Sequence, residues 1–218
     1  MRKITAIQGQ KKDPNRVNIH LDGEFAFGLS RFVAAWLKVG DLLDDEKIAR
    51  LQGEEALERA YQQAMLLLSY RARSEAEIRQ NLRKHEVPDP VIETVLERLR
   101  QAGLADDRQF ARAWVENRST FRPRSRSALA MELRRKGLPE EAAHAALADV
   151  DEAALAYEAA LKRAPRLKDL EWNDFRKKLG EFLMRRGFPY GITAPTVRRI
   201  WSEMHAGKEQ TLDDEETI

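Results

Sequence analysis

The residues of this chain best suited to moving protons are its two interior Asp-Asp pairs, Asp44-Asp45 and Asp106-Asp107. Neighbouring carboxyls held at different pKa values can work as acid and base. Each pair, however, follows a loop and precedes a helical pattern, where an aspartate caps free N–H groups and meets the positive end of the helix dipole. Capping is the expectation for both. His20, His85, His144 and His205 stand in unrelated contexts, and none has a second histidine three or four residues on to build a metal site. There is no cysteine, which removes disulfides, thiolate zinc sites and cysteine nucleophiles. No glycine-rich phosphate loop, dinucleotide turn or nucleophile elbow occurs. The expectation is a protein that is not an enzyme and needs no cofactor or metal.

Guanidinium chemistry is richer. Arg71, Arg73, Arg118, Arg122, Arg124 and Arg126 gather at the loops leading into the second helix of two successive repeats, and Arg134, Arg135 and Lys136 form a basic turn just after. From Arg108 to Lys136 nine Arg or Lys stand against two Glu, so a net charge of only +2 hides a strongly basic stretch. An exposed guanidinium grips a phosphate or a carboxylate with a bidentate fork, whereas a merely solvated face mixes in more Lys and Glu. Arg71, Arg73, Arg118, Arg122, Arg124, Arg126, Arg134, Arg135 and Lys136 are the expected partner- or phosphate-binding set. Phe121 is the one aromatic between Arg118 and Arg126, so phosphate contact is expected ahead of base stacking.

Those arginines need elements to hold them. Apolar residues alternate at Val17, Ile19 and Leu21 and again at Phe25, Phe27 and Leu29, with Asp22-Gly23 between, which predicts a β-hairpin. Ile4 to Gln8 offers a third strand, and Ser30 can cap a short helix carrying Phe32, Val33, Trp36 and Leu37. Past Gly53 the pattern is helical, and it repeats. Leu82-Arg83-Lys84-His85-Glu86-Val87-Pro88 aligns with Leu133-Arg134-Arg135-Lys136-Gly137-Leu138-Pro139 and with Leu183-Met184-Arg185-Arg186-Gly187-Phe188-Pro189, at offsets of 51 and 50 residues. Each block reads as a helix ending in a basic turn, an apolar staple, and a proline that starts the next helix. Ser74 with Glu77 makes a capping box, Ser125 caps the equivalent helix, and Asp174 is the expected cap in the third, most drifted copy. Trp172, Phe175, Phe182 and Phe188 fall at core spacing.

The predicted fold is therefore mainly α: three tandem three-helix repeats in an elongated curved arc, with a small N-terminal β-hairpin appendage. The expected divisions are 1–53 for the appendage, 54–104, 105–150 and 151–206 for the repeats, and 207–218 for an acidic disordered tail. Met1 to Gln10 has no apolar core, and no run approaches the roughly 18 apolar residues of a membrane span. A cytoplasmic protein with no membrane partner is expected.

Three runs, taken together, carry a family resemblance: Arg71-x-Arg73-Ser74-Glu75-x-Glu77-Ile78, then Gly103-Leu104-Ala105-Asp106-Asp107-x-x-Phe110-Ala111, then Leu133-x-x-Lys136-Gly137-Leu138. In order and spacing they resemble the RecX regulatory family over about residues 55 to 205. Ser74, Asp106, Asp107, Phe110 and Gly137 are the motif positions, and the hairpin resembles the N-terminal extension of longer members. Where the family often has a glycine before the second helix of its middle repeat, this chain has Ser125. The resemblance implies a monomeric arc lying along the groove of the RecA nucleoprotein filament, inhibiting its ATPase and strand exchange, with single- or double-stranded DNA as a further partner. Basic loops can meet either acidic RecA surface or the DNA backbone, and salt sensitivity is expected for both. Changing Arg122, Arg124 and Arg126 to Ala is expected to weaken binding with helical content unchanged.

Two other readings compete. A helix-turn-helix DNA-binding protein also has three-helix units and basic loops, but its recognition helix needs Arg, Asn or Gln at base edges, and Val91 to Leu99 and Glu140 to Val150 are acidic or alanine-rich. A generic helical scaffold for other proteins would show no DNA dependence.

Overall fold

The alternating N-terminal residues form a sheet. In the computed structural model, which describes the backbone of residues 1–213 and the side chains of residues 1–206, β1 (Arg2–Gly9), β2 (Arg16–Leu21), β3 (Glu24–Ser30) and β4 (Leu42–Leu43) pair antiparallel in the order β3-β2-β1-β4. Asp22 and Gly23 turn the hairpin with φ of 52° and 95°, the positive values that match strand twist. Val17, Ile19 and Leu21 point to one buried face with Ile4, Leu29 and Leu43. Phe25 does not join them, because the pairing steps from Ile19↔Phe27 to His20↔Phe25 and β3 bulges there. The Ser30 hydroxyl accepts from Val33 N–H at 3.2 Å, starting a single 3-10 turn, Val33–Trp36.

Asp44 caps α1 (Asp45–Tyr70), its carboxylate accepting from Lys47 N–H at 2.8 Å. This helix runs unbroken across Gly53. Ile48 and Leu51 on its first half cover the sheet, while Ala60 and Ala64 on its second half join a separate core with α2 (Glu75–Lys84) and α3 (Asp89–Gln101). Buried Glu55 ties sheet to helix, accepting from Arg16 Nη1 and from Ser30 N–H, both at 2.6 Å. These elements make up one compact unit, Met1–Ala105, and a second begins at Asp106.

The second unit contains α4 (Asp107–Phe121), α5 (Arg126–Arg135), α6 (Glu140–Leu147), α7 (Glu152–Arg163), α8 (Trp172–Arg185) and α9 (Tyr190–Asp213). They share one core, from Phe110 and Ala111 through Leu129, Leu133 and Ala159 to Phe175, Leu183 and Ile200. Phe175 and Phe188 are fully buried, Trp172 and Phe182 partly so. The fold is mainly α, three three-helix repeats (α1–α3, α4–α6, α7–α9) behind a β-sheet appendage. Of the expected tail, 207–213 falls on the backbone of α9, and 214–218 lie outside the described residues.

The repeat punctuation has one geometry in all three copies. Val87, Leu138 and Phe188 each donate a backbone N–H to the carbonyl of Leu82, Leu133 and Leu183, closing the helix ends as Schellman turns. Glu86, Gly137 and Gly187, the residues just before, sit at φ of 60°, 73° and 93°. The first copy therefore places a side chain where glycine is favoured. Glu86→Gly is expected to raise stability by up to about 1 kcal/mol, measured by urea unfolding; a loss would mean that the Glu86 side chain stabilises the turn. The third copy departs at its helix start. α8 begins at Trp172 behind Glu171 with no side-chain cap, and Asp174 lies inside its first turn, so Asp174 is not the cap. A carboxylate at that position still favours the positive helix end without closing it.

Candidate functional site on the inter-helix turns

The first aspartate of each Asp pair caps a helix. Asp106 accepts from Arg108 N–H at 2.8 Å and Gln109 N–H at 3.0 Å and so caps α4, with Asp107 in its first turn. Phe110 is buried directly behind them. Ser74 and Glu77 form the full capping box of α2, and the Ser125 hydroxyl accepts from Ala128 N–H at 3.1 Å at the start of α5. Among the described residues no three His, Cys, Asp or Glu side chains gather as a metal site, and no helix is long and apolar enough to cross a membrane.

The nine basic residues divide by what their charges already touch. In the first unit Arg71 spends its fork on Glu77, at 2.9 and 3.1 Å, while Arg73 has a buried Nε with no hydrogen-bond partner. In the second unit Glu132 is a hub. It accepts from Trp114 Nε1 at 2.9 Å and Arg118 Nε at 2.8 Å, and Arg124 Nε lies 3.1 Å from its other oxygen. Arg118 and Lys136 also stand over the Trp114 ring, 4.4 and 4.8 Å from its centre. Arg126 turns away to cap α6, donating to the carbonyls of Leu147 at 2.6 and 2.9 Å and Ala148 at 2.7 Å. Arg134 lines an open groove with Leu138, Glu140 and His144, and Arg135 rests 3.8 Å from Met131 Sδ. Arg122 is exposed, and its side chain has no ion pair among the described residues.

Burial pushes the Glu132 carboxyl up, but the N–H donors of Arg118 and Trp114 and the nearby Arg124 charge outweigh it and hold the group below the ordinary glutamate value of 4.5. A carboxyl depressed in the folded state stabilises the fold above its unfolded pKa and loses that contribution as pH falls through the folded value. Thermal unfolding followed between pH 7 and pH 3 should therefore show a smaller acid loss in Glu132→Gln than in the parent. Equal loss in both proteins would remove Glu132 from the acid transition.

Sequence reasoning passed over a further cation. Arg186, at the end of α8, donates Nη1 to the Pro123 carbonyl at 3.0 Å, while Ser125 N–H donates to the Arg186 carbonyl at 3.1 Å. The α4–α5 turn is thus fastened to a residue about sixty positions later in the chain. The signal was present, since Arg186 aligns with Lys136 in the repeat.

This architecture defines a helical-repeat protein with a sheet appendage, its candidate site carried on turns between helices. Sequence profiles of the RecX family match in four successive pieces. The Regulatory protein RecX N-terminal domain covers residues 2–44, and the first, second and third RecX three-helix domains cover 60–99, 106–147 and 149–193. Regulatory protein RecX of Bacillus pumilus is 32% identical over 218 residues, spanning 97% of this chain and 81% of its own. That of Amycolatopsis mediterranei is 37% identical over 173 residues, 78% of this chain and 98% of its own. A crystal structure of a regulatory protein RecX superposes with a TM-score of 0.69 at 29% identity, covering 88% of this chain and 97% of that one. RecX from Lactobacillus salivarius shares the fold, with a TM-score of 0.59 at 21% identity over 67% of this chain and 97% of its own. The chain belongs to the RecX family of regulatory proteins.

Proposed function

We propose that this protein binds the RecA filament on DNA and inhibits its ATPase and recombinase activities, acting in the cytoplasm as a monomer. The observation that carries the reading is the match to RecX regulatory proteins through all four successive pieces of the chain, appendage and repeats alike. Physical reasoning supports it. A filament offers the same surface at regular intervals, so weak contacts from successive repeats add through effective concentration without one tight site. The exposed Arg122 supplies positive charge with no ion pair among the described residues, and the exposed Arg124 beside it shares Glu132. The helix-turn-helix alternative gains no support from α6, which opens on Glu140 and Glu141 where a base-reading helix needs Arg, Asn or Gln.

Arg126 holds the end of α6, so the cleaner test leaves it in place. Arg122→Ala/Arg124→Ala is expected to weaken co-sedimentation with RecA filaments roughly tenfold at moderate salt, the order of two lost solvent-exposed charge pairs, with an unchanged circular dichroism spectrum. Undiminished co-sedimentation would remove this turn from the interface.

A further inference from the structure

Arg186 is the centre of a positive cluster that the protein compensates only in part, through the Arg124–Glu132 pair. Its guanidinium lies 4.7 Å from the centre of the Phe182 ring, and the Arg163 guanidinium, from the end of α7, lies 5.7 Å from the same ring. Burial lowers the Arg186 pKa, and the charges of Arg124 and Arg122 lower it further, with no carboxylate acting against them. Of the acids described at this corner, Glu132 is already shared by Arg118, Arg124 and the Trp114 indole, and Glu152 accepts from the Arg126 backbone N–H at 3.0 Å. Arg163 has a buried Nε without a hydrogen-bond partner, and Lys162 beside it donates its ammonium to the Thr120 carbonyl at the end of α4.

Donors outnumber acceptors here. A guanidinium offers five N–H groups; the side chain of Arg186 uses Nη1 on Pro123, and that of Arg122 makes no bond among the described residues. Three helices, α4, α7 and α8, end at this place, and their negative dipole ends help to hold the cations together without consuming the free forks. An oxyanion would relieve the mutual repulsion and occupy the forks at once. Next to Arg122, on the last turn of α4, Phe121 is 69% exposed, an open aromatic face beside an anion-ready cluster. A carboxylate-bearing surface would have use for the arginines but not for that ring. A nucleic acid strand has use for both, the phosphate on the forks and an unpaired base on the ring.

We propose that Arg122, Arg124 and Arg186 form a phosphodiester site for single-stranded nucleic acid, with Phe121 stacking an unpaired base beside it. The biological setting rests on the filament reading above, but the site is a property of this chain alone and is tested without RecA. The probe is a fluorescent oligothymidylate, its binding followed by anisotropy across a salt series. Arg122→Ala should lower affinity roughly three- to tenfold and reduce the salt slope by about 0.7, the loss of one single-strand phosphate contact. Phe121→Ala should lower affinity about fivefold or more for oligothymidylate and leave binding of an abasic deoxyribose-phosphate chain unchanged. Circular dichroism of each variant checks that the fold is intact. The proposal is overturned if Arg122→Ala changes neither affinity nor slope, or if Phe121→Ala weakens the abasic chain equally. It is also overturned if polyglutamate of matched charge competes as well as unlabelled oligothymidylate, which would assign the cluster to an acidic protein surface.

Discussion

Gly187→Ala is expected to destabilise the protein by about 2–4 kcal/mol, read from urea unfolding. Two effects add. Gly187 has φ of +93°, outside the range an alanine adopts without strain, which costs about 1 kcal/mol or more. A β-carbon there would also clash with the Ser125 hydroxyl oxygen and stand 3.1 Å from the Ala128 β-carbon. Ser125 is fully buried, caps α5 and is fastened to Arg186, so it can yield only by giving up the cap, worth about 1 kcal/mol. Gly103 separates the two effects. It has φ of +68° with nothing within 4 Å of a built β-carbon, so Gly103→Ala should show the backbone cost alone. Equal losses at the two glycines would mean that the Ser125 contact is soft.

Phe175→Ala should cost about 3–5 kcal/mol, the usual range for a fully buried phenylalanine. Its ring packs edge-on to Trp201 at 5.0 Å, and Trp172 meets the same indole at 5.4 Å, so the cavity would open beside two tryptophans. Thermal unfolding measures the loss, and a red shift of tryptophan emission should accompany it as water reaches Trp201. A loss below about 1 kcal/mol would mean that α8 and α9 close over the vacated space.

The repeats were legible because their punctuation is chemical. A leucine, a basic turn, an apolar staple and a proline recur together, and each has a mechanical duty at a helix end. The hairpin was legible for the same reason, through Asp22-Gly23 and the alternation of Val17, Ile19 and Leu21. Other features leave no such trace. β4 is two residues long, too short for periodicity, and pairs with Arg2 and Lys3 about forty positions away. Gly53 reads as a break, yet a glycine inside a helix costs only about 1 kcal/mol, and packing of α1 on both sheet and helices overrides it. Trp36 looked like a helix-face residue and is 89% exposed, because the turn that carries it is a single 3-10 turn with little face to bury.

The basic site was legible in composition and not in geometry. Counting arginines found the α4–α5 turn, but nothing in the count distinguishes Arg71, folded onto Glu77, or Arg126, capping α6, from the exposed Arg122. Arg186 escaped because what defines it is a contact with Pro123 from the other end of the unit. Tertiary structure decides which guanidiniums remain available, and local sequence cannot.

The most direct test is the single-stranded-DNA-dependent ATPase of the cognate RecA, with this protein titrated in at fixed moderate salt. The account predicts progressive inhibition by the parent protein and weaker inhibition by Arg122→Ala/Arg124→Ala. Hydrolysis untouched at concentrations where the protein retards duplex DNA in a sequence-dependent way would contradict it and restore the helix-turn-helix reading.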